Sequence, residues 1–274
     1  MAKYVMSIDQ GTTGTTVSII HQDGRSVAKV NEEFEQIYPQ PGWVEHNPEE
    51  IWRSVVSCIR KTLELAHVSG DDIVAIGITN QRETVVVWDK KDETPIHNAI
   101  VWQCRRTTEF CNKIKGTAKE KTIKKLTGLV VDPYFSASKF RWILENVSGA
   151  RKKAEKGNLL GGTIDTYLLW RLTGGKAHKT EVSNASRTQL LNIHKKNWDK
   201  TLLKIFNVPE NLLPEVCESS GVFGVTNSVP GLPDGIPISG MAGDQQAALF
   251  GQTCFDVGQA KCTFGTGSFL LMNT

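Results

Sequence analysis

The segment GlyAspGlnGlnAlaAla, residues 243 to 248, places a carboxylate in the first turn of a helix. Orphan backbone N–H groups and the helix dipole favour an anion there. Asp244 therefore reads either as a simple N-cap or as an ionised acid at the mouth of a cleft, a base aimed at a hydroxyl about to attack phosphorus. Near the N-terminus, Gly11, Thr12, Thr13 and Gly14 directly follow an apolar run. Closely approached backbone N–H groups and small hydroxyls are what phosphate requires, so Gly and Thr gather in turns that grip it. Asp9, at the strand end beside this turn, is placed to hold Mg²⁺ through water. A plain hairpin turn is the competing reading, because neither P-loop nor GxGxxG spacing is present.

A further cluster is IleThrAsnGlnArgGluThr, residues 78 to 84. Adjacent Arg82 and Glu83 offer donors and acceptors together, which suits a small polyhydroxy ligand whose hydroxyls both donate and accept. Arg–Glu neighbours are ordinarily surface residues, and that reading competes. Trp102 offers an indole face for C–H groups or an ordinary core ring. Tyr134 offers a phenol to a ligand or a core ring with its hydroxyl satisfied. The six histidines form no HExxH pattern and no GxSxG is present, which disfavours zinc and serine hydrolases. Six cysteines lack CxxC pairs and zinc spacing, so buried thiols are expected rather than a disulfide framework.

These residues need elements to position them. Residues 4 to 8, 17 to 20 and 26 to 34 read as a β-meander. Asn47, Pro48 and Glu50 read as an N-cap, a first-turn proline and a capping-box acid, opening a helix to about residue 66. Its stripe of Ile51, Val55, Ile59 and Leu63 must bury against a sheet. Strands follow at 73 to 78 and 84 to 88. A basic helical stretch from 104 to 157 reads as an insertion beside the sheet core. Then come a strand at 158 to 163, a helix from 165 to 172, and a loop-rich stretch from 207 to 237. A strand at 236 to 239, a helix from 243 to 250 and a hairpin (260 to 264, 269 to 272) complete an α/β pattern with some antiparallel strands. Residues 7 to 14 and 262 to 268 are both strand, GlyThr turn, strand. Two such hairpins suit a molecule that grips phosphates from both sides of a nucleotide.

Length and composition agree. At ~150 residues per domain, 274 residues predict one large domain or two modest ones, and 39% hydrophobic with 22% charged residues is globular. Of the net charge of +3, residues 201 to 274 carry two bases against six acids, or −4, which leaves +7 in the first 200. That excess includes Lys113, Lys115, Lys119, Lys121, Lys124 and Lys125, which read as a solvated helix face rather than a nucleic-acid patch. No signal-peptide core and no run of ~20 apolar residues is present, and a cytoplasmic location is expected.

Taken together, AspGlnGlyThrThr, ProGlyTrpValGluHis (41 to 46), IleThrAsnGlnArgGluThr, IleValTrpGlnCysArgArg, GlyLeuValValAspProTyrPhe (128 to 135), AsnAlaSerArgThr (184 to 188), GlyAspGlnGlnAlaAlaLeuPheGly and the GlyThrGly hairpin resemble the FGGY carbohydrate kinases. Within that family the likeness is to members that act on glycerol, and it spans essentially the whole chain. It implies an actin-like ATPase (ribonuclease H-like) fold, a mixed sheet with flanking helices, and a cleft between two lobes for ATP and substrate. It implies ATP-dependent phosphorylation of glycerol to sn-glycerol 3-phosphate with ATP and Mg²⁺. Arg82, Glu83, Tyr134, Asp244 and Gln245 match ligands of the glycerol hydroxyls, and Trp102 and Phe269 match its apolar contacts. Asp244 matches the general base, Asp9 the residue associated with Mg²⁺, and Thr12, Thr13, Gly14 and Thr266 the phosphate-holding positions.

The resemblance divides the chain into an N-terminal carbohydrate kinase domain, 1 to 251, and the second phosphate hairpin, 252 to 274, at the start of a C-terminal lobe. Family members run to roughly 500 residues, as two such domains require. The chain is therefore expected to be the glycerol-binding half, with the second lobe absent. A catalytically incomplete polyol-binding fragment, or a kinase acting on a pentulose, gluconate or another sugar, are the alternatives. Partners implied are glycerol and ATP, with no nucleic acid and no integral membrane segment; homo-oligomerisation stays open. Thr16 stands where many relatives have arginine. The loop from 225 to 235 lacks both the glycine-arginine pattern of a sugar-bisphosphate inhibitor site and the histidine of regulatory phosphorylation.

Overall fold

A computed structural model describes residues 3 to 265 and 267 to 274. β1 (Tyr4–Gln10), β2 (Gly14–His21) and β3 (Ser26–Glu33) form the expected antiparallel meander. After β4 (Glu45–His46), Asn47 caps α1 (Pro48–Ala66) by accepting from Glu49 N at 2.9 Å. His67 ends the helix in the left-handed region, φ 51°. Ile51, Val55, Ile59 and Leu63 are buried with Cys58 against β2 and β3. At roughly 1.5–3 kcal/mol per buried aliphatic side chain, that stripe rather than helix propensity holds α1 on the sheet.

β5 (Ile73–Asn80) follows, then β6 (Val85–Asp89) and β7 (Ala99–Ile100). The basic middle folds into α2 (Thr108–Ile114), α3 (Ala118–Thr127), α4 (Ser136–Asn146) and α5 (Ala150–Glu155). Next come β8 (Leu159–Thr163), α6 (Ile164–Leu172), β9 (Lys179–Glu181) and α7 (Val182–Ala185). Short β10 (Leu191–Asn192) and β11 (Asn197–Trp198) precede α8 (Lys200–Phe206) and β12 (Glu215–Cys217). The chain continues through β13 (Ser220–Val225), β14 (Pro237–Gly243), α9 (Asp244–Gly251), β15 (Ala260–Phe264) and β16 (Ser268–Met272).

The main sheet has the order β13-β14-β5-β1-β2-β3, and a second runs β4-β7-β6-β8. Each anchors its own core. The first core joins α1, α6 and the main sheet; the second joins the second sheet to α2, α4, α5 and α8. Strand β6 serves both, because alternate side chains face opposite ways: Val85 and Val87 enter the second core, Val86 and Trp88 the first.

Two expectations need correction. The stretch from 104 to 157 is not an insertion beside one core; its apolar residues, among them Ile123, Phe140 and Ile143, help build the second core. The stretch from 207 to 237 holds β12 and β13, and β13 is an edge of the main sheet. Its glycines conceal the strand pattern, yet Gly224 lies where an added Cβ would stand 2.8 Å from Thr173 Cγ2. Close approach, not a turn, requires that glycine.

The six lysines of the basic run are exposed, as a solvated face requires. Cys58, Cys104 and Cys111 are buried thiols, whereas Cys217 and Cys254 are half-buried and Cys262 is exposed. No helix among the described residues is long and apolar enough to cross a membrane.

Candidate active site

β1, β5 and β14 run parallel, and their register brings Gln10, Asn80 and Gly243 to one edge of the sheet. Ligands of open α/β sheets sit outside the carboxyl ends of such strands. The three chemical segments of the sequence leave from that edge: the turn at 11 to 14, the segment at 81 to 84, and α9, which starts at Asp244 with no intervening loop.

A cavity of about 180 Å³ opens there, lined by Thr12, Thr13, Arg82, Glu83, Trp102, Tyr134, Asp244, Gln245 and Phe269, together with Gln81, Thr263, Gly265 and Gly267. All seven residues matched to the polyol thus line one cavity. Asp9 and Gly14 are not among its lining. Thr266 lies outside the described residues.

Arg82 and Glu83 are 5% and 1% exposed, which excludes the surface reading of this pair. Successive side chains of a strand face opposite ways, so a local distortion is needed to bring both into one cavity. The chain supplies it. Thr84 N donates to Arg82 O at 2.8 Å, closing a three-residue turn with Glu83 at φ 63°. Such turns are strained and rare outside functional sites.

Glu83 accepts from Arg187 Nε at 2.6 Å, and the Arg187 guanidinium lies 5.6 Å from the Tyr134 ring and 4.9 Å from that of Phe135. Burial pushes the Glu83 carboxyl above its ordinary pKa, while Arg82 and Arg187 draw it down. Tyr134 is held at about 12, by desolvation first and by the Glu83 charge second, so its phenol stays protonated.

Asp244 takes two bonds from its own helix start, from Gln245 N at 2.7 Å and Gln245 Nε2 at 3.0 Å. It pairs with Arg82 Nε at 3.1 Å, without the alignment of a hydrogen bond, so this buried donor has no acceptor among the described residues. Gly243 makes the approach possible, because a Cβ there would lie 2.6 Å from Arg82 Cδ. The Trp102 indole stands edge-on to Tyr134 and Phe269, with centroids 5.5 and 6.1 Å away.

The glycine-threonine turn is tied to this wall. Trp102 Nε1 donates to Thr12 Oγ1 at 2.9 Å. Gln81, 1% exposed, donates to Gly11 O at 3.0 Å and accepts from Thr84 Oγ1 at 2.8 Å. Gly14 must be glycine, since a Cβ would stand 2.7 Å from Glu32 O.

Asp9 is open to solvent by surface area but recessed among neighbouring strands. Its pKa is pushed up to about 6, by desolvation first and by the Asp244 carboxylate second, with Lys29 opposing. A carboxylate whose charge is disfavoured by a second carboxylate suits a divalent cation. Among the described residues, no group of three or more His, Cys, Asp and Glu side chains could hold a metal by itself. Thr16 pairs with Asp9 across the strands and accepts from Asn31 Nδ2 at 2.9 Å, so a neutral hydroxyl stands beside Asp9.

Sequence reasoning gave no role to Gln81, Thr84, Arg187, Lys139 or Lys261. The first three lie inside motifs singled out above, so the signal available was a polar residue within a recognised segment. Lys139 is buried among the carbonyls of Pro133, Tyr134 and Phe135 at 2.8, 2.5 and 3.0 Å, and burial lowers its pKa to about 7. That contact anchors the backbone of Tyr134.

The architecture is that of the actin-like ATPase class of sugar kinases. It superposes on the crystal structure of Plasmodium falciparum glycerol kinase with ADP at a TM-score of 0.93, with 38% identity, over 99% of this chain and 54% of that one. Gluconate kinase from Lactobacillus acidophilus aligns at 0.89 with 22% identity over 98% of this chain and 54% of that one, a likeness of fold alone. Residues 4–251 match the N-terminal domain model of the FGGY family of carbohydrate kinases, and the chain belongs to that family. Glycerol kinases of Bdellovibrio bacteriovorus and Caldanaerobacter subterraneus are 60% and 59% identical to it over its whole length. The chain spans 55% of the length of both.

Proposed function

We propose that this chain binds glycerol in the cavity at the carboxyl ends of β1, β5 and β14, and serves as the glycerol-facing half of an ATP-dependent glycerol kinase forming sn-glycerol 3-phosphate. The observation that carries the reading is the convergence of Arg82, Glu83, Trp102, Tyr134, Asp244, Gln245 and Phe269 on one small cavity. A triol fits it: charged and phenolic groups meet hydroxyls that donate and accept, and the rings of Trp102 and Phe269 meet C–H faces. Arg82 Nε, paired with Asp244 at 3.1 Å but without an aligned hydrogen bond among the described residues, supplies a donor that a ligand hydroxyl would satisfy.

In this reading Asp244 takes the proton from the terminal hydroxyl as its oxygen attacks the γ-phosphorus of ATP. Arg82 and the start of α9 orient the carboxylate, and Glu83 and Tyr134 fix the other hydroxyls, so the chemistry is chiefly placement. The turn at Gly11 to Gly14, with Thr12 and Thr13, cradles phosphate oxygens, and Thr266 is assigned there as well. Asp9, with Asp244 near, would hold Mg²⁺, which when bound supplies charge neutralisation for the phosphoryl oxygens. Residues 1 to 251 form the kinase's N-terminal domain and 252 to 274 the second phosphate hairpin.

The test is glycerol phosphorylation in ATP and Mg²⁺ by the Asp244→Asn variant of the protein that carries this chain. Transfer is expected to fall by 10² to 10⁴, roughly the contribution of a general base, with glycerol affinity within a few-fold of wild type. Near-normal turnover would remove Asp244 from that role. Glycerol binding without phosphorylation by the unaltered 274-residue chain would make it a polyol-binding half that is incomplete alone.

A further inference from the structure

Lys261, on β15, is only 7% exposed and has no part in the chemistry above. Its ammonium donates to Gln245 Oε1, to Thr263 Oγ1 at 2.7 Å and to Phe269 O at 3.5 Å. An ammonium has three protons and no acceptor, so the Gln245 atom facing it must be the amide oxygen. The amide nitrogen then has one direction left. It donates to Asp244 Oδ2 at 3.0 Å, while the Gln245 backbone N–H donates to Oδ1 at 2.7 Å.

We propose that Lys261 is a positioning residue: by fixing the Gln245 amide it holds the Asp244 carboxylate by both oxygens, pinned from outside α9. The inference rests on the reading of Asp244 and Gln245 as glycerol-site residues. Without the ammonium, the amide would be oriented only by the carboxylate it helps to hold, where a half-turn would set Oε1 against a carboxylate oxygen, acceptor against acceptor. Burying a lysine is costly, and desolvation lowers its pKa while the Asp244 charge draws it back up. The contact also crosses between elements. Lys261 and Phe269 share the β15–β16 hairpin, with Thr263 opposite Phe269, so the link that orients Gln245 also seats Phe269 near Arg82, 5.9 Å from the ring centroid. Gln245 thereby keeps one amide proton and one oxygen lone pair for a ligand.

The test is a double-mutant cycle on the 274-residue chain, with Lys261→Met, Gln245→Leu and the pair, and glycerol binding read by calorimetry. Lys261→Met is expected to weaken binding roughly tenfold, about 1.4 kcal/mol, through the freed Gln245 amide rather than through Asp244, whose own charge adds little to affinity. The double variant should bind no worse than the weaker single. Additive losses would mean that Lys261 acts on the hairpin independently of Gln245, and would overturn the proposal. A second readout needs no glycerol: in ¹⁵N-labelled protein, water exchange of the Gln245 side-chain amide should speed up about tenfold in Lys261→Met. Unchanged exchange would also overturn it. Failure of the unaltered chain to bind glycerol would count against the proposed function instead, and the exchange measurement would still decide the role of Lys261.

Discussion

The two GlyThr hairpins share a local pattern and differ in what holds them. β1–β2 lies inside a six-stranded sheet, with β5 on one flank and β3 on the other. Its turn is closed by Gly11 N to Gly14 O at 2.9 Å, and Phe34 N donates to Thr13 O at 3.3 Å. β15–β16 is a sheet of two strands, and Phe264, Leu270 and Met272 are 81%, 72% and 56% exposed on it. A two-stranded hairpin is marginal alone in water. Its described attachments are few: contacts with α9, the Lys261 link to Gln245, and the Phe269 ring against Trp102 and the Arg82 guanidinium. The same turn chemistry is therefore part of a rigid frame in one case and a jaw hung on α9 in the other.

Substitutions that add one methyl group would sharpen this contrast. Gly14→Ala, in the frame, drives a Cβ against Glu32 O and is expected to cost about 1–3 kcal/mol, read as a drop of several degrees in melting temperature. A melting temperature equal to wild type would mean that the frame yields as the jaw does. Gly267→Ala, in the jaw, would put a Cβ 2.9 Å from the Phe269 ring. The ring can swing, so stability should hold while glycerol affinity falls about three- to tenfold in a calorimetric titration.

The frame also carries Asp9, whose carboxyl holds its proton up to about pH 6 in the folded chain against 3.8 ordinarily. The folded state thus binds more protons between these values, and stability declines as pH rises from about 4 to 6. Asp9→Asn removes that decline. The variant should be more stable than wild type at pH 7 to 8 without Mg²⁺, by under about 1 kcal/mol after solvent screening. The two melting curves should merge below about pH 4, and a variant less stable at pH 8 would refute the assignment. Smallest of all, Gly265→Ala meets nothing within 4 Å and should leave stability within about 0.5 kcal/mol. A larger loss would show that the jaw is packed more tightly than its surroundings suggest.

Much of this was legible in the chain. The meander, α1 with its Asn47 cap and the start of α9 are local patterns whose side chains report their own periodicity. β13 was not legible, because Gly221 and Gly224, the latter in close approach to Thr173, leave no apolar alternation to read. Nor was the second core, because the helices from 108 to 155 display their basic faces in sequence, and the sheet they cover comes from four short, scattered strands. Lys261 carried no signal, since a lysine on an exposed hairpin is unremarkable until its neighbours are known.

The sequence by itself determined the residue types of the site and their order along the chain: an acid beside a glycine-threonine turn, an Arg–Glu pair, and an acid opening a helix. Only the tertiary structure decided that they face one another. Three parallel strands bring segments from opposite ends of the chain to one sheet edge, and a tight turn at Glu83 aims two consecutive charges the same way. Both depend on long-range pairing and burial, which a local pattern does not encode.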